Sequence, residues 1–98
     1  GFKVWPAEVE NVLYRHPAVK ETAVYAAPDP LKGEQVRAAV VLKDGKHATP
    51  VELIAHCRDY LAVYKAPERI DIVAELPKSA TGKILKRVLR EDAAKVAG

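Results

Sequence analysis

The sequence has little sulfur: one cysteine, Cys57, and no methionine in 98 residues. A lone cysteine excludes an internal disulfide. Its place in a helical apolar pattern makes it a buried thiol rather than a nucleophile. The three histidines, His16, His47 and His56, stand far apart with no zinc-like spacing, so no metal site is read. His16 precedes a helix-ending proline and His47 lies in a turn, and both are expected to be solvated. No Ser/His/Asp arrangement is recognisable. No apolar run is long enough to span a bilayer, and no signal peptide is expected, since Gly1-Phe2-Lys3 opens directly into folded-looking sequence. A cytoplasmic protein is the expectation. The missing initiator methionine and abrupt start suggest a piece of a longer chain.

Hydrophobic residues make up 49% and charged residues 30%, an ordinary globular balance. The length suits one domain with one modest core. The net charge of +3 is too small to imply nucleic acid by itself.

Pro6 sits where helices favour proline, followed by Glu8 and Glu10 and by Val9, Val12 and Leu13 on one face, which predicts a helix over about 6–15. Trp5 before it is read as core packing. Residues 19–27 read as a strand broken by Pro28-Asp29-Pro30, and 36–42 as a second strand, central because few of its residues are polar. Asp44-Gly45 marks a turn. Thr49-Pro50-Val51-Glu52 is a capping box that starts a helix with Ile54, Cys57 and Leu61 as its buried face. Residues 68–73 alternate through Ile70 and Ile72 as a third strand, and Leu85, Val88, Leu89 and Val96 mark a basic helix at about 84–96. The predicted fold is α+β, a small three-stranded sheet flanked by about three helices.

The chemistry concentrates in Leu76-Pro77-Lys78-Ser79-Ala80-Thr81-Gly82-Lys83-Ile84. From Lys78 to Arg90 there are five basic residues and no acid. A lysine on a loop of small residues can reach a phosphate or carboxylate unobstructed. The loop is not a P-loop, because Ile84 follows Gly82-Lys83 and no glycine stands five residues before Gly82. On residue chemistry alone, Lys83 is either an anion-binding group or a solvated lysine at a helix start.

Pro77 to Ile84 resembles the last core motif of the adenylate-forming superfamily, whose pattern is Pro-Lys-Ser/Thr, one residue, Ser/Thr-Gly-Lys-Ile/Leu. The resemblance spans essentially residues 1–98 and implies the small C-terminal lid domain of such an enzyme, without its large N-terminal AMP-binding domain. Gly1-Phe2-Lys3-Val4-Trp5-Pro6-Ala7-Glu8-Val9-Glu10 is similar to the segment after the inter-domain hinge. The variant it looks most like is a fatty acyl-CoA ligase, which activates a carboxylic acid with ATP to acyl-AMP and passes the acyl group to coenzyme A. The resemblance assigns catalysis of adenylation to Lys83, contacts with the pantetheine channel to Gly1 and Phe2, and reach toward the adenylate to Lys3. Basic residues at the places of Lys32 and Arg58 contact the phosphates of coenzyme A in similar ligases. It further implies ATP/AMP and coenzyme A as ligands, Mg2+ held by the full enzyme but not by this domain, and an isolated domain without activity. Its partners would be its own N-terminal domain, the carboxylic acid, and a lysine acetyltransferase and deacetylase acting at Lys83.

Two other functions compete. A peptide-synthetase adenylation lid would serve a carrier protein instead of coenzyme A. A small basic nucleic-acid-binding module could use residues 78–90, but no aromatic interleaves with that basic run, so nucleic acid is not expected as a partner.

Overall fold

The computed structural model describes residues 4–97. Gly1, Phe2, Lys3 and the side chain of Val96 lie outside the described residues, and with them three of the expected ligand contacts. Helix α1 is Pro6–Tyr14, strand β1 Val19–Asp29, strand β2 Gly33–Leu42, helix α2 Pro50–Tyr60, strand β3 Arg69–Ile72 and helix α3 Lys86–Ala97. A single 3-10 turn, Val63–Lys65, lies between α2 and β3. The order helix, strand, strand, helix, strand, helix and the α+β class are those predicted. The sheet order is β1-β2-β3, with β1 antiparallel and β3 parallel to the central β2.

The sheet separates two apolar clusters. Val24, Ala38, Val40 and Ile70 face Val9, Val12 and Leu13 of α1 and Leu53 and Cys57 of α2. Ala23, Tyr25, Ala27, Ala39 and Val41 face the other way, toward Leu76, Leu89 and Ala93. The alternation is the period-2 pleat. Val19 breaks its parity because the register shifts between Val19 and Glu21, and the extra residue turns Val19 onto the α1 face. Three alanines of the sheet on that face, Ala23, Ala27 and Ala39, leave room for α3 to approach with its own Ala93.

Several local expectations are corrected. Pro28 does not end β1: the strand continues to Asp29, and Pro28 pairs with Glu34. The N–H groups of Thr22 and Val24 turn away from β2, to the Tyr14 hydroxyl at 3.2 Å and to Glu10 Oε2 at 2.8 Å. Pro28 stands in phase with them, so its missing donor removes no ladder bond. β2 accordingly starts at Gly33 rather than Val36. In α2 the fully buried residues are Leu53 and Cys57, while Ile54 is half-buried and Leu61 caps the end. Trp5 is 65% exposed and contributes through its backbone instead, its carbonyl accepting the N–H groups of Glu8 and Val9 at the start of α1. Thr49 Oγ1 accepts the Glu52 N–H at 3.1 Å, the forward half of the expected capping box. His47 is exposed, but His16 is half-buried. Its Nδ1 accepts the Ala18 N–H, and its ring meets His56 edge-on at 5.1 Å. His56 Nε2 lies 2.8 Å from the Val12 carbonyl, which ties α2 to α1.

Candidate functional site

The lysine loop is a tight hairpin. Lys78 and Ile84 form an antiparallel bridge, and the Leu85 N–H closes it by donating to the Pro77 carbonyl at 2.8 Å. Gly82 turns the chain with φ +87°, a left-handed conformation closed to most side chains. Pairing of Ile84 with Lys78 keeps Ile84 out of the helix, so α3 begins at Lys86 and not at 84. Lys83 therefore stands on the hairpin, not at a helix start.

The two lysines of the hairpin differ in what holds them. Lys78 Nζ lies 2.7 Å from Glu21 Oε2 on β1. Lys83 is exposed and has no acidic partner within ion-pair distance among the described residues. Lys86 just beyond reaches Glu10 of α1 at 3.0 Å. The hairpin is thus moored to the domain on both sides of a lysine whose ammonium is uncommitted. Such a group is a point charge on a long stem, suited to a transient anion.

A second place is cationic. A groove of about 800 Å³ runs between the β1–β2 turn, the end of α2 and the start of β3. Lys32 and Arg58, 26 positions apart in sequence, both line it, together with Val63, Tyr64 and Glu68. Lys32 pairs with Glu68 across the groove, and the hydrogen bond from that carboxylate pushes the Lys32 ammonium above the ordinary lysine value. The β1–β2 turn that carries Lys32 is set by Asp29. Its Oδ1 accepts the N–H groups of Leu31 at 2.8 Å and Lys32 at 3.0 Å, which holds the Asp29 carboxyl below its usual value. Gly33, with φ +85°, completes the turn. Arg58 is exposed in the last turn of α2, free of any acidic partner among the described residues. Lys65, at the end of the 3-10 turn, leans to Glu8 at 3.0 Å, whose hydrogen bond raises the Lys65 ammonium. Val4, the first described residue, also lines the groove, while Lys83 does not.

The chain matches the family profile described as AMP-binding enzyme C-terminal domain over residues 8–83. It belongs to that family. A C-terminal domain of the AMP-binding enzymes is similar in sequence to the long-chain-fatty-acid–CoA ligase of Yersinia pestis, 47% identical over 96 residues covering 98% of this chain and 17% of that protein. The ligase of the same name from Bacillus subtilis is 48% identical over 92 residues, 94% of this chain and 16% of that protein. In structure the domain is similar to the Brucella canis acyl-CoA synthetase, with TM-score 0.91 and 40% identity over 100% of this chain and 19% of that one. The chain spans less than a fifth of the length of these relatives. Its three helices and three-stranded sheet are the C-terminal domain architecture of an acyl-CoA synthetase.

Of the expected site residues, the fold brings Lys32 and Arg58 to one groove and sets Lys83 elsewhere on a moored hairpin. Sequence reasoning missed the acidic partners. Glu21 and Glu68 lie 57 and 36 positions from the lysines they hold, and neither stands in a pattern that announces a partner. It also missed Arg37, 5% exposed in the middle of β2. Its guanidinium meets Asp71 Oδ2 at 3.2 Å while its buried Nε has no partner. Among the described residues no cluster of three or more His, Cys, Asp or Glu could hold a metal ion, and no helix is long and apolar enough to cross a membrane.

Proposed function

We propose that this domain is the mobile lid of an acyl-CoA synthetase that makes an acyl-adenylate from ATP and a carboxylic acid, a fatty acid by the names of its curated relatives, and then a thioester with coenzyme A. One observation supports the two-step reading best. The domain presents two cationic places that share no residue: the uncommitted Lys83 on its hairpin, and the groove lined by Lys32 and Arg58. A domain serving one step needs one such place.

In adenylation Lys83 faces the carboxylate and the α-phosphate. Its charge reduces their repulsion and stabilises charge on the transferring group. Lys78 shapes the hairpin through Glu21 and does not touch substrate. Rotation of the domain then withdraws Lys83 and turns the groove to the acceptor. There Arg58 and Lys32, the latter exchanging Glu68 for a phosphate, hold the phosphates of coenzyme A. Gly1 and Phe2 would border the pantetheine, and Lys3 would reach the adenylate. Mg2+ belongs to the large domain in this scheme, and the domain by itself makes no adenylate. The exposure that lets Lys83 enter a site also opens it to acetyl transfer, which removes its charge. Acetyl-Lys83 protein should therefore lose the same activity as Lys83→Ala.

The test is a pair of single-turnover measurements in the full-length enzyme. Lys83→Ala is expected to lower acyl-adenylate formation by roughly 10²–10³. From pre-formed acyl-adenylate and coenzyme A the same variant should make thioester within a few-fold of the wild-type rate. Equal loss in both half-reactions would give up the alternation of roles.

A further inference from the structure

Lys83 is held at both of its backbone groups by one residue. Its N–H donates to Ser79 Oγ at 3.2 Å, and its carbonyl accepts the Ser79 N–H at 2.8 Å. Ser79 also accepts the Gly82 N–H on its own carbonyl at 2.9 Å, which closes the turn Ser79-Ala80-Thr81-Gly82. Its hydroxyl lies 3.0 Å from Thr81 Oγ1. The Ser79 oxygen can accept the Lys83 N–H and still share a hydrogen bond with Thr81, in which either hydroxyl can donate. We propose that Ser79 is a positioning residue for Lys83: its hydroxyl fixes the backbone from which the catalytic ammonium is thrown. The inference rests on the adenylation role of Lys83 and adds what aims it.

The physical reason lies in where the freedom sits. A lysine side chain has four rotatable torsions, and its neighbours on this hairpin are small. The direction of its Cα–Cβ bond is then set by the backbone at Lys83 alone. The two bonds to Ser79 bracket that backbone on either side, and the Lys78–Glu21 ion pair fixes the hairpin to β1. Removing the Ser79 hydroxyl leaves the bridge, the turn and the ion pair in place but releases the Lys83 N–H. The hairpin remains while Lys83 wanders, and a small misplacement of a reacting charge costs rate out of proportion to stability.

The experiment uses the full-length enzyme and the two half-reactions separately. Ser79→Ala is expected to lower the adenylation rate about tenfold with the KM for ATP little changed, while thioester formation from pre-formed acyl-adenylate stays at the wild-type rate and shows the lid to be folded. Ser79→Thr keeps the hydroxyl and should recover most of the loss. The decisive comparison is Ser79→Ala in a Lys83→Ala background, where it should cause no further loss of adenylation because its effect runs through Lys83. An unchanged adenylation rate in Ser79→Ala would overturn the inference. So would a parallel fall of both half-reactions, or an equal tenfold loss on top of Lys83→Ala. If Lys83→Ala itself leaves adenylation intact, the role of Lys83 fails first, and the two failures are told apart.

Discussion

The buried Arg37 gives the sharpest test of what holds this fold. It sits in the central strand and borders a cavity of about 220 Å³ with Tyr25, Arg69, Asp71, Leu89 and Asp92. Asp71 is its counter-charge and is shared with Arg69, whose Nε lies 3.0 Å from the other carboxylate oxygen. Asp71→Ala leaves a guanidinium buried without that carboxylate. Breaking a fully buried pair from one side costs about 3–5 kcal/mol. The Asp71 side chain is 35% exposed, so water screens part of the loss and about 2–3 kcal/mol is expected. For a domain of this length that is a fall of about 10–20 °C in Tm. Arg37→Met removes the charge and the orphaned Nε together and fills similar volume. It should lie within about 1 kcal/mol of the parent, on either side. Thermal unfolding of the 98-residue chain followed by circular dichroism decides this, on the expectation that the chain folds alone. Equal destabilisation by both variants would refute the reasoning, since the pair would then stabilise the fold on balance. A loss under about 0.5 kcal/mol for Asp71→Ala would show that Arg37 does not depend on it.

Other outcomes are expected. In the full-length enzyme Arg58→Ala and Lys32→Ala should each raise the apparent KM for coenzyme A by roughly tenfold with pyrophosphate exchange near normal. Glu68→Gln, which frees Lys32, should lower that KM by a few-fold. Unchanged coenzyme A kinetics in all three would return the groove to ordinary surface. Burial pushes the Cys57 thiol up to about 11 from its usual 9.0, so the folded state keeps a proton that the unfolded chain releases. The stability this contributes is intact below about pH 9 and is lost as pH rises from about 9 to 11, on the order of 2–3 kcal/mol in all. Denaturation midpoints at pH 8 and pH 11 measure it, and a smaller pH slope in Cys57→Ala identifies the thiol as its source. Burial likewise raises the Tyr25 phenol, which adds a loss of the same sign above about pH 10.

The elements were legible where local chemistry decides them. Proline at the start of α1 and α2, the Thr49 cap and the 3.6-residue spacing of Val9, Val12 and Leu13 needed no tertiary information. What failed depends on partners distant in sequence. Pro28 reads as a breaker until β1 is known to be an edge strand with that residue's nitrogen turned outward. Ile84 reads as the first residue of a helix until Lys78 is seen to pair with it. Leu53 and Ile54 are equal candidates for burial by composition, and only the placement of α2 on the sheet selects Leu53. Trp5 reads as core because large aromatics are mostly buried, yet it precedes Pro6 at the helix cap and its ring stays exposed. For the site, Lys83 carries a dense local motif. That Lys32 and Arg58 line one groove appears only once the chain is folded.

The outer border of β1 has a consequence for the proposed lid motion. A lid that swings against a larger neighbour repeatedly offers its sheet margin to other backbones, and an open margin is a template for strand addition. Here Tyr14 and Glu10 of α1 occupy the outward N–H groups of Thr22 and Val24, and Pro28 offers none further along. In the proposed lid motion these three positions would offer no backbone donor to a passing peptide. Glu10 also holds Lys86 at the root of the lysine hairpin, so the carboxylate that occupies the outward Val24 N–H also helps fix the base of that hairpin.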